Sequence, residues 1–229
     1  MGSRSALSIA PQPTPEQGRA PRPAARGKPA VRTGKGIERA NAILEAAREI
    51  FANAGYAGLS MRGIAGRLGI SLSNVQHYYP SKDALVEALL LHMLDGYKAA
   101  VDRMNSQMAR ASPLERFRAA IGIFVDEASD PLTVGVFVEI WALARRHRFA
   151  ASVAGIVQAR QRKQMVHLIA GLLPRASKAA LKTRAALMIM HLEGLIRTVS
   201  CLQPGEAGTA ALKDAARKSF EALATADYL

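Results

Sequence analysis

An all-α fold is predicted for this 229-residue chain by three observations. Ala and Leu are abundant while β-branched runs are scarce, which favours helix as the local state. From Ile37 onward, apolar residues recur at the spacing of one helical face. Ser, Pro and Gly stand at the starts and stops of these periodic stretches. The architecture expected is an N-terminal three-helix helix-turn-helix unit followed by a larger C-terminal helical bundle, about nine helices in all. No stretch reads as a strand, and no repeat of fixed period is present.

The first periodic stretch places Ala40, Ile43, Leu44, Ala47, Ile50, Phe51 and Ala54 on one stripe, about five turns long. Gly55 is expected to stop it, as a residue that tolerates the left-handed conformation. Ser60 is placed to cap a second helix through Leu68, Gly69 to turn the chain, and Ser71 to cap a short third helix to about Tyr78. Pro80 ends that helix, and Ser81 caps a long fourth one. Two further helices each begin with Pro in the first turn, where its missing N–H is harmless: Pro113 and Pro131. A helix over residues 151–173 closes at Pro174, another spans 178–202, and the last runs over 209–224.

Residues 1–36 differ in composition. Six of the eleven prolines lie here, with seven basic residues against the single acid Glu16. Large apolar side chains are too few to bury an ordering core, so a disordered basic, Pro-rich arm is expected. It is either a solvated tail or a non-specific grip on DNA phosphates. The whole chain carries a net charge of +13, which favours a polyanionic partner, nucleic acid or an anionic membrane surface. The lone cysteine, Cys201, builds neither a disulfide framework nor a Cys-based zinc site, and fits a reducing compartment. Its apolar helical surroundings predict a small buried hydrophobe. No run approaches the roughly 18 apolar residues that cross a bilayer, and the N-terminus lacks the apolar segment of a secretory signal. A cytoplasmic protein without a membrane partner is expected.

The helix pair around Gly69 has the composition its packing requires. Ala65 is small where the helices approach, and Ile64, Leu68, Ile70 and Val75 supply apolar contacts. With Val75 and Tyr79 facing inward, the third helix presents Ser71, Ser73, Asn74, Gln76, His77 and Tyr78 outside or at its edge. A major groove admits such a helix, and amides and hydroxyls there bond phosphates or base edges. Ser60 with Arg62, and Ser81 with Lys82, add two helix N-termini suited to phosphate. Capping alone also accounts for Ser60, Ser71 and Ser81.

The stretch ILEAAREIFANAGYAGLSMRGIAGRLGISLSNVQHYYPSKDALVEAL resembles the DNA-binding domain of TetR-type bacterial transcriptional regulators, over about residues 37–90. The resemblance rests on Phe51, Gly55-Tyr56, Ser60 in a usual Thr place, Ile64-Ala65, Gly69-Ile70, and Lys82 with Leu85. It departs where the family often has Tyr at the place of Gln76 and His at the place of Tyr78, and in the long basic arm. What the resemblance implies is an all-α homodimer with an N-terminal reader and a C-terminal small-molecule pocket, in which the effector lowers operator affinity. The domains expected are an arm at 1–36, a DNA-binding helix-turn-helix at 37–82, and a ligand-binding and dimerisation domain at 83–229.

In that rear domain, Leu181, Ala185, Met188, Leu192, Leu195, Val199 and Leu202 form one apolar row, with Ile189 and Ile196 in a second. One row is expected to face the chain's own core and the other a partner. The final helix adds Leu212, Ala216, Phe220 and Leu223. Two such helices from each of two subunits would form a four-helix interface, as in the resembled family. Pairing suits the reader too, since a two-fold places two short helices in successive major grooves of a pseudo-palindromic operator. Phe124, Phe137, Trp141, His167, Met188 and His191 are the candidate effector contacts, although residues of these types on such helices are more often core. Glu193 and Arg197 have the i, i+4 spacing of an ion pair.

The sequence holds no HExxH, GxSxG, glycine-rich phosphate loop or metal-spaced cluster of His, Cys, Asp and Glu, so no enzyme, metal or cofactor is expected. The function predicted is a ligand-responsive DNA-binding regulator, a repressor that leaves double-stranded DNA when a small-molecule effector binds. The alternative is a membrane-surface or non-specific nucleic-acid-binding helical protein recruited by its arm, although that arm lacks the apolar face of an interfacial helix.

Overall fold

The computed structural model describes residues 34–202 and 208–226. Among them are nine α-helices and no strand. Helix α1 spans Gly34–Gly58, so Gly34, Lys35 and Gly36 form its first turn instead of ending the arm. A frayed first turn costs little when the turns behind it are anchored. The rest of the expected arm, residues 1–33, lies outside the described residues. The α1 stripe is buried at Ala40, Ile43, Leu44, Ala47 and Phe51, whereas Ile50 is half-buried and Ala54 exposed. Gly55 breaks the helix at φ 65, and one further turn follows to Gly58.

Helix α2 (Met61–Leu68) starts at Ser60, whose hydroxyl accepts the Gly63 N–H at 3.0 Å. It ends at Gly69 in the left-handed region, φ 62, where the Gly69 and Ile70 amides donate to the Gly66 and Ala65 carbonyls. That closure is the glycine-dependent helix stop. Helix α3 (Leu72–Tyr78) starts at Ser71, which accepts the Asn74 N–H at 3.2 Å. Helix α4 (Lys82–Gln107) starts at Ser81. Helix α5 (Pro113–Glu127) begins with a reciprocal capping box between Ser112 and Glu115, and α6 (Pro131–Ala144) with Asp130 accepting the Thr133 N–H at 2.9 Å.

Helix α7 (Arg148–Ala170) starts three residues before the predicted position and ends before Gly171, not at Pro174. Helix α8 (Lys178–Val199) stops short of the predicted 202, and α9 covers Gly208–Thr225. Cys201 follows the end of α8 in a turn and is exposed, which corrects the expectation of a buried thiol. Once the helix ends, its register no longer carries the side chain to the apolar face.

A continuous apolar cluster joins the reader helices to the rear bundle. Helix α1 lies along α6, and Gly135 makes that approach possible: a Cβ there would stand 2.6 Å from the Ala52 carbonyl oxygen. Beside this crossing, Arg48 donates to Asp130 (2.9 Å) and to the buried Thr133 hydroxyl (3.0 Å). The two rows of α8 are both buried within the chain, at Leu181, Ala185, Met188, Leu192 and Leu195 and at Ile189 and Ile196. Neither row is therefore left for a partner, which corrects that expectation; α6, α7 and α9 cover them. Helix α9 is held by Phe220 and Ala224 in the core and by ion pairs to α5. Arg118 binds Glu221 at 2.5 and 2.8 Å, while Asp126 takes Lys213 at 2.5 Å and Arg217 at 2.9 Å. At its C-terminus, Arg184 of α8, 4% exposed, donates to the carbonyls of Leu223 and Ala226. A guanidinium suits carbonyls at the end of a helix because they carry the negative end of the dipole.

Candidate nucleic-acid interface

Helix α3 is too short to hold itself together, so its stability comes from one anchored edge. Val75 is fully buried, and Tyr79 is 6% exposed with its hydroxyl donating to the Ala40 carbonyl of α1 at 3.3 Å. These two fix the rotation of the helix. The opposite side carries Ser71, Ser73, Asn74, Gln76 and His77, all exposed. Tyr78 is half-buried, its ring meeting His77 edge-on at 5.3 Å. Ser71 and Ser73 share a 3.0 Å hydrogen bond, which leaves the Asn74 and Gln76 amides free of side-chain partners among the described residues. The face thus offers donors and acceptors of the kind that read base edges.

Ser60 and Arg62 stand exposed at the start of α2, and Ser81 is exposed at the start of α4. Gly63 is the residue that fits this α2 turn, since a Cβ there would meet the Ser60 hydroxyl at 2.9 Å. Lys82 is half-buried, its ammonium 3.9 Å from the centre of the Tyr56 ring. Burial lowers the Lys82 pKa, although the neighbouring Asp83 works in the opposite direction. The Tyr56 hydroxyl donates to Asp83 at 2.5 Å, and burial, then that bond and the Asp83 charge, push its pKa up to about 12. The Tyr56 amide donates to Glu139 of α6 at 2.7 Å. Tyr56, Asp83 and Glu139 thereby connect the reader to the bundle, and sequence reasoning did not single them out for this. Glu139 carries a signal in retrospect: it is the one ionised residue in the apolar run PLTVGVFVEIWALA.

The six residues expected to form one effector site do not converge. Phe124 and His167 line a cavity of about 670 Å³ between α4, α5 and α7. Phe137 and Trp141 line a second, open groove between α6, α7 and α8. Met188 is fully buried and lines neither; His191 is exposed, bonded to Ser219 at 2.8 Å and edge-on to Phe220. Glu193 takes a hydrogen bond from Gln158 and lies near Arg162, so the expected pair with Arg197 does not form. Burial raises the Glu193 pKa against both of these neighbours. Among the described residues no group of three or more His, Cys, Asp and Glu is placed to hold a metal, and no helix is long and apolar enough to cross a membrane.

Residues 43–89 match the family described as bacterial regulatory proteins, tetR family. An uncharacterized HTH-type transcriptional regulator in the dhlA 5' region of Xanthobacter autotrophicus is 31% identical over 166 residues, covering 66% of this chain and 75% of that protein. The HTH-type transcriptional regulator BetI of Paraburkholderia xenovorans is 33% identical over 87 residues, 38% of this chain and 43% of the relative, so the match spans less than half of BetI. A structure from Saccharomonospora viridis, described as a candidate transcriptional regulator in complex with choline, superposes with a TM-score of 0.62 at 18% identity, covering 81% of this chain and 96% of that one. That likeness is one of fold.

Proposed function

The chain belongs to the tetR family of bacterial regulatory proteins and is a helix-turn-helix transcriptional regulator, and we propose that it acts as a homodimeric repressor that leaves its operator when a small molecule enters the α4–α5–α7 cavity. The observation that carries this reading is the outer face of α3. Anchored at Val75 and Tyr79, it holds Asn74, Gln76 and His77 toward solvent with no competing contacts from the rear bundle. Asn and Gln pair bidentately with adenine, while Ser71, Ser73 and Tyr78 reach phosphate or base edges. Ser60, Arg62 and Lys82 fix the register on the backbone at the two flanking helix starts.

Release follows from α4. Its first turn holds the reader through Lys82 and Asp83, and its middle lines the cavity with Leu94, Lys98 and Val101. A ligand that favours one tilt of α4 shifts the spacing of two reading heads, by as much as it prefers that conformer. The choline complex of the Saccharomonospora viridis neighbour supports a ligand site in this fold. The apolar rows of α8 being covered, the pairing surface we assign is the outward side of α8 at Met190, 64% exposed, with Ile156 of α7 and Val138 of α6, both 39% exposed. The chemistry needs neither metal nor cofactor, and the place of action is the cytoplasm.

Selection of bound fragments from genomic DNA, repeated with Asn74→Ala/His77→Ala, tests this. The wild type is expected to enrich a pseudo-palindrome, and the variant to lose or change that motif while keeping its circular dichroism. An unchanged motif would move the reading surface away from α3.

A further inference from the structure

We infer that the effector is an amphipathic carboxylate: an apolar tail held between α4, α5 and α7 and an anionic head held by Arg116 and Lys163. The inference rests on the proposed effector role of that cavity and names the chemistry it selects. Its inner wall is apolar, formed by Leu94, Val101, Phe117 and Phe124, all buried. The lining also carries four basic side chains, the carboxylates of Asp95 and Asp102, and the polar Asn105, Gln164 and His167. The carboxylates are already taken: Lys98 binds Asp102 at 2.5 Å and Arg160 binds Asp95 at 3.3 Å, both pairs largely exposed. Arg116 and Lys163 form no ion pair or side-chain hydrogen bond among the described residues; Arg116 is half-buried and Lys163 exposed.

A half-buried guanidinium without a counter-charge loses hydration and regains nothing from the protein. An anion arriving there recovers that loss, and carboxylate is the group whose geometry Arg matches bidentately. The side-chain amide nitrogen of Gln164, one residue from Lys163, is buried and has no hydrogen-bond partner. A cationic ligand would meet two positive charges that lack partner carboxylates, and a neutral one would leave both without a counter-charge. The apolar wall in turn excludes a small hydrophilic anion as the preferred occupant, since it would leave that surface in contact with water.

Calorimetric titration of the full chain with decanoate and 4-phenylbutyrate, each beside its matched alcohol and trimethylammonium analogue, tests the assignment. At least one carboxylate is expected to bind, at least tenfold tighter than its alcohol and its cation. Arg116→Gln/Lys163→Gln is expected to remove that preference, while Arg103→Gln/Arg110→Gln, which lowers the net charge equally outside the cavity, leaves it in place. Equal binding of alcohol and acid, tighter binding of the cation, binding of neither acid, or an unaltered preference in Arg116→Gln/Lys163→Gln would each overturn it. The acids are then added to the complex with the selected operator. If they bind the protein through Arg116 and Lys163 and leave the DNA complex intact, the carboxylate site stands and the release mechanism falls. If the cation releases DNA and the acid does not, release stands and the carboxylate assignment falls.

Discussion

At Gly55 the chain must leave α1 at φ 65, a region where a side chain is strained. A Cβ there would also lie 2.9 Å from the Glu139 carboxylate that receives the next residue's amide. Gly55→Ala is therefore expected to cost about 1–3 kcal/mol, adding the left-handed penalty to the displacement of Glu139. Urea unfolding measures it; a loss indistinguishable from zero would mean that the turn tolerates a side chain. The glycine was readable in the sequence because it ends an apolar period. Its partner was not, since nothing in local spacing says that a carboxylate 84 residues onward in the chain turns toward that peptide. Cys201 failed for the same reason: its setting looked apolar along the chain, and only the early end of α8 shows that it faces solvent.

Among elements, α9 is tied to α5 by ion pairs in addition to its apolar burial. Asp126 and Glu221 are its links to α5. Burial alone would raise the Asp126 pKa, but the hydrogen bond and charge of Lys213, then those of Arg217, hold it below the ordinary carboxylate value. The Arg118 hydrogen bond, outweighing a small desolvation effect and joined by the Arg118 charge, does the same for Glu221. Folded-state pKa values below the unfolded ones mean stability that is full above the ordinary range, about 4, and lost as pH falls through the folded values. Thermal unfolding from pH 7 to pH 3 should show Tm falling in the acid limb. Asp126→Asn/Glu221→Gln should start from a lower Tm at pH 7 and fall less steeply; an identical slope would show that these pairs contribute nothing. The helices themselves were legible, because Ser60, Ser71 and Ser81 cap, and Pro113 and Pro131 open, helices where the apolar period begins. The ends of α7 and α8 were less so, since their apolar residues continue past the last turn.

For the molecule as a whole, the reader and the bundle share α4 and the α1–α6 crossing, so shape is transmitted through packed helices instead of a linker. The face of α3 was legible in the sequence because a seven-residue helix with two apolar anchors leaves one arrangement for its polar residues. The cavity between α4, α5 and α7 was legible only at Phe124 and His167, because it assembles from three helices whose lining residues are each ordinary for an amphipathic surface. Pairing of two copies is expected from the sequence, and the surface proposed for it is the exposed Met190 side of α8. Met190→Glu places a charge at the centre of that surface. It is expected to shift light-scattering mass from dimer to monomer and to weaken operator binding at least tenfold, with the monomer fold retained. A dimer that persists would return the interface to another face.

In the proposed complex the outer face of α3 enters the major groove twice, on one side of the duplex. Methylation interference on the selected operator tests it most directly, because guanine N7 is accessible only from that groove. Interference is expected in two clusters whose centres lie about 34 Å apart, roughly one helical turn, with the pattern weakened at the positions facing residue 74 in Asn74→Ala. Binding indifferent to N7 methylation, or sensitive only to salt, would contradict it.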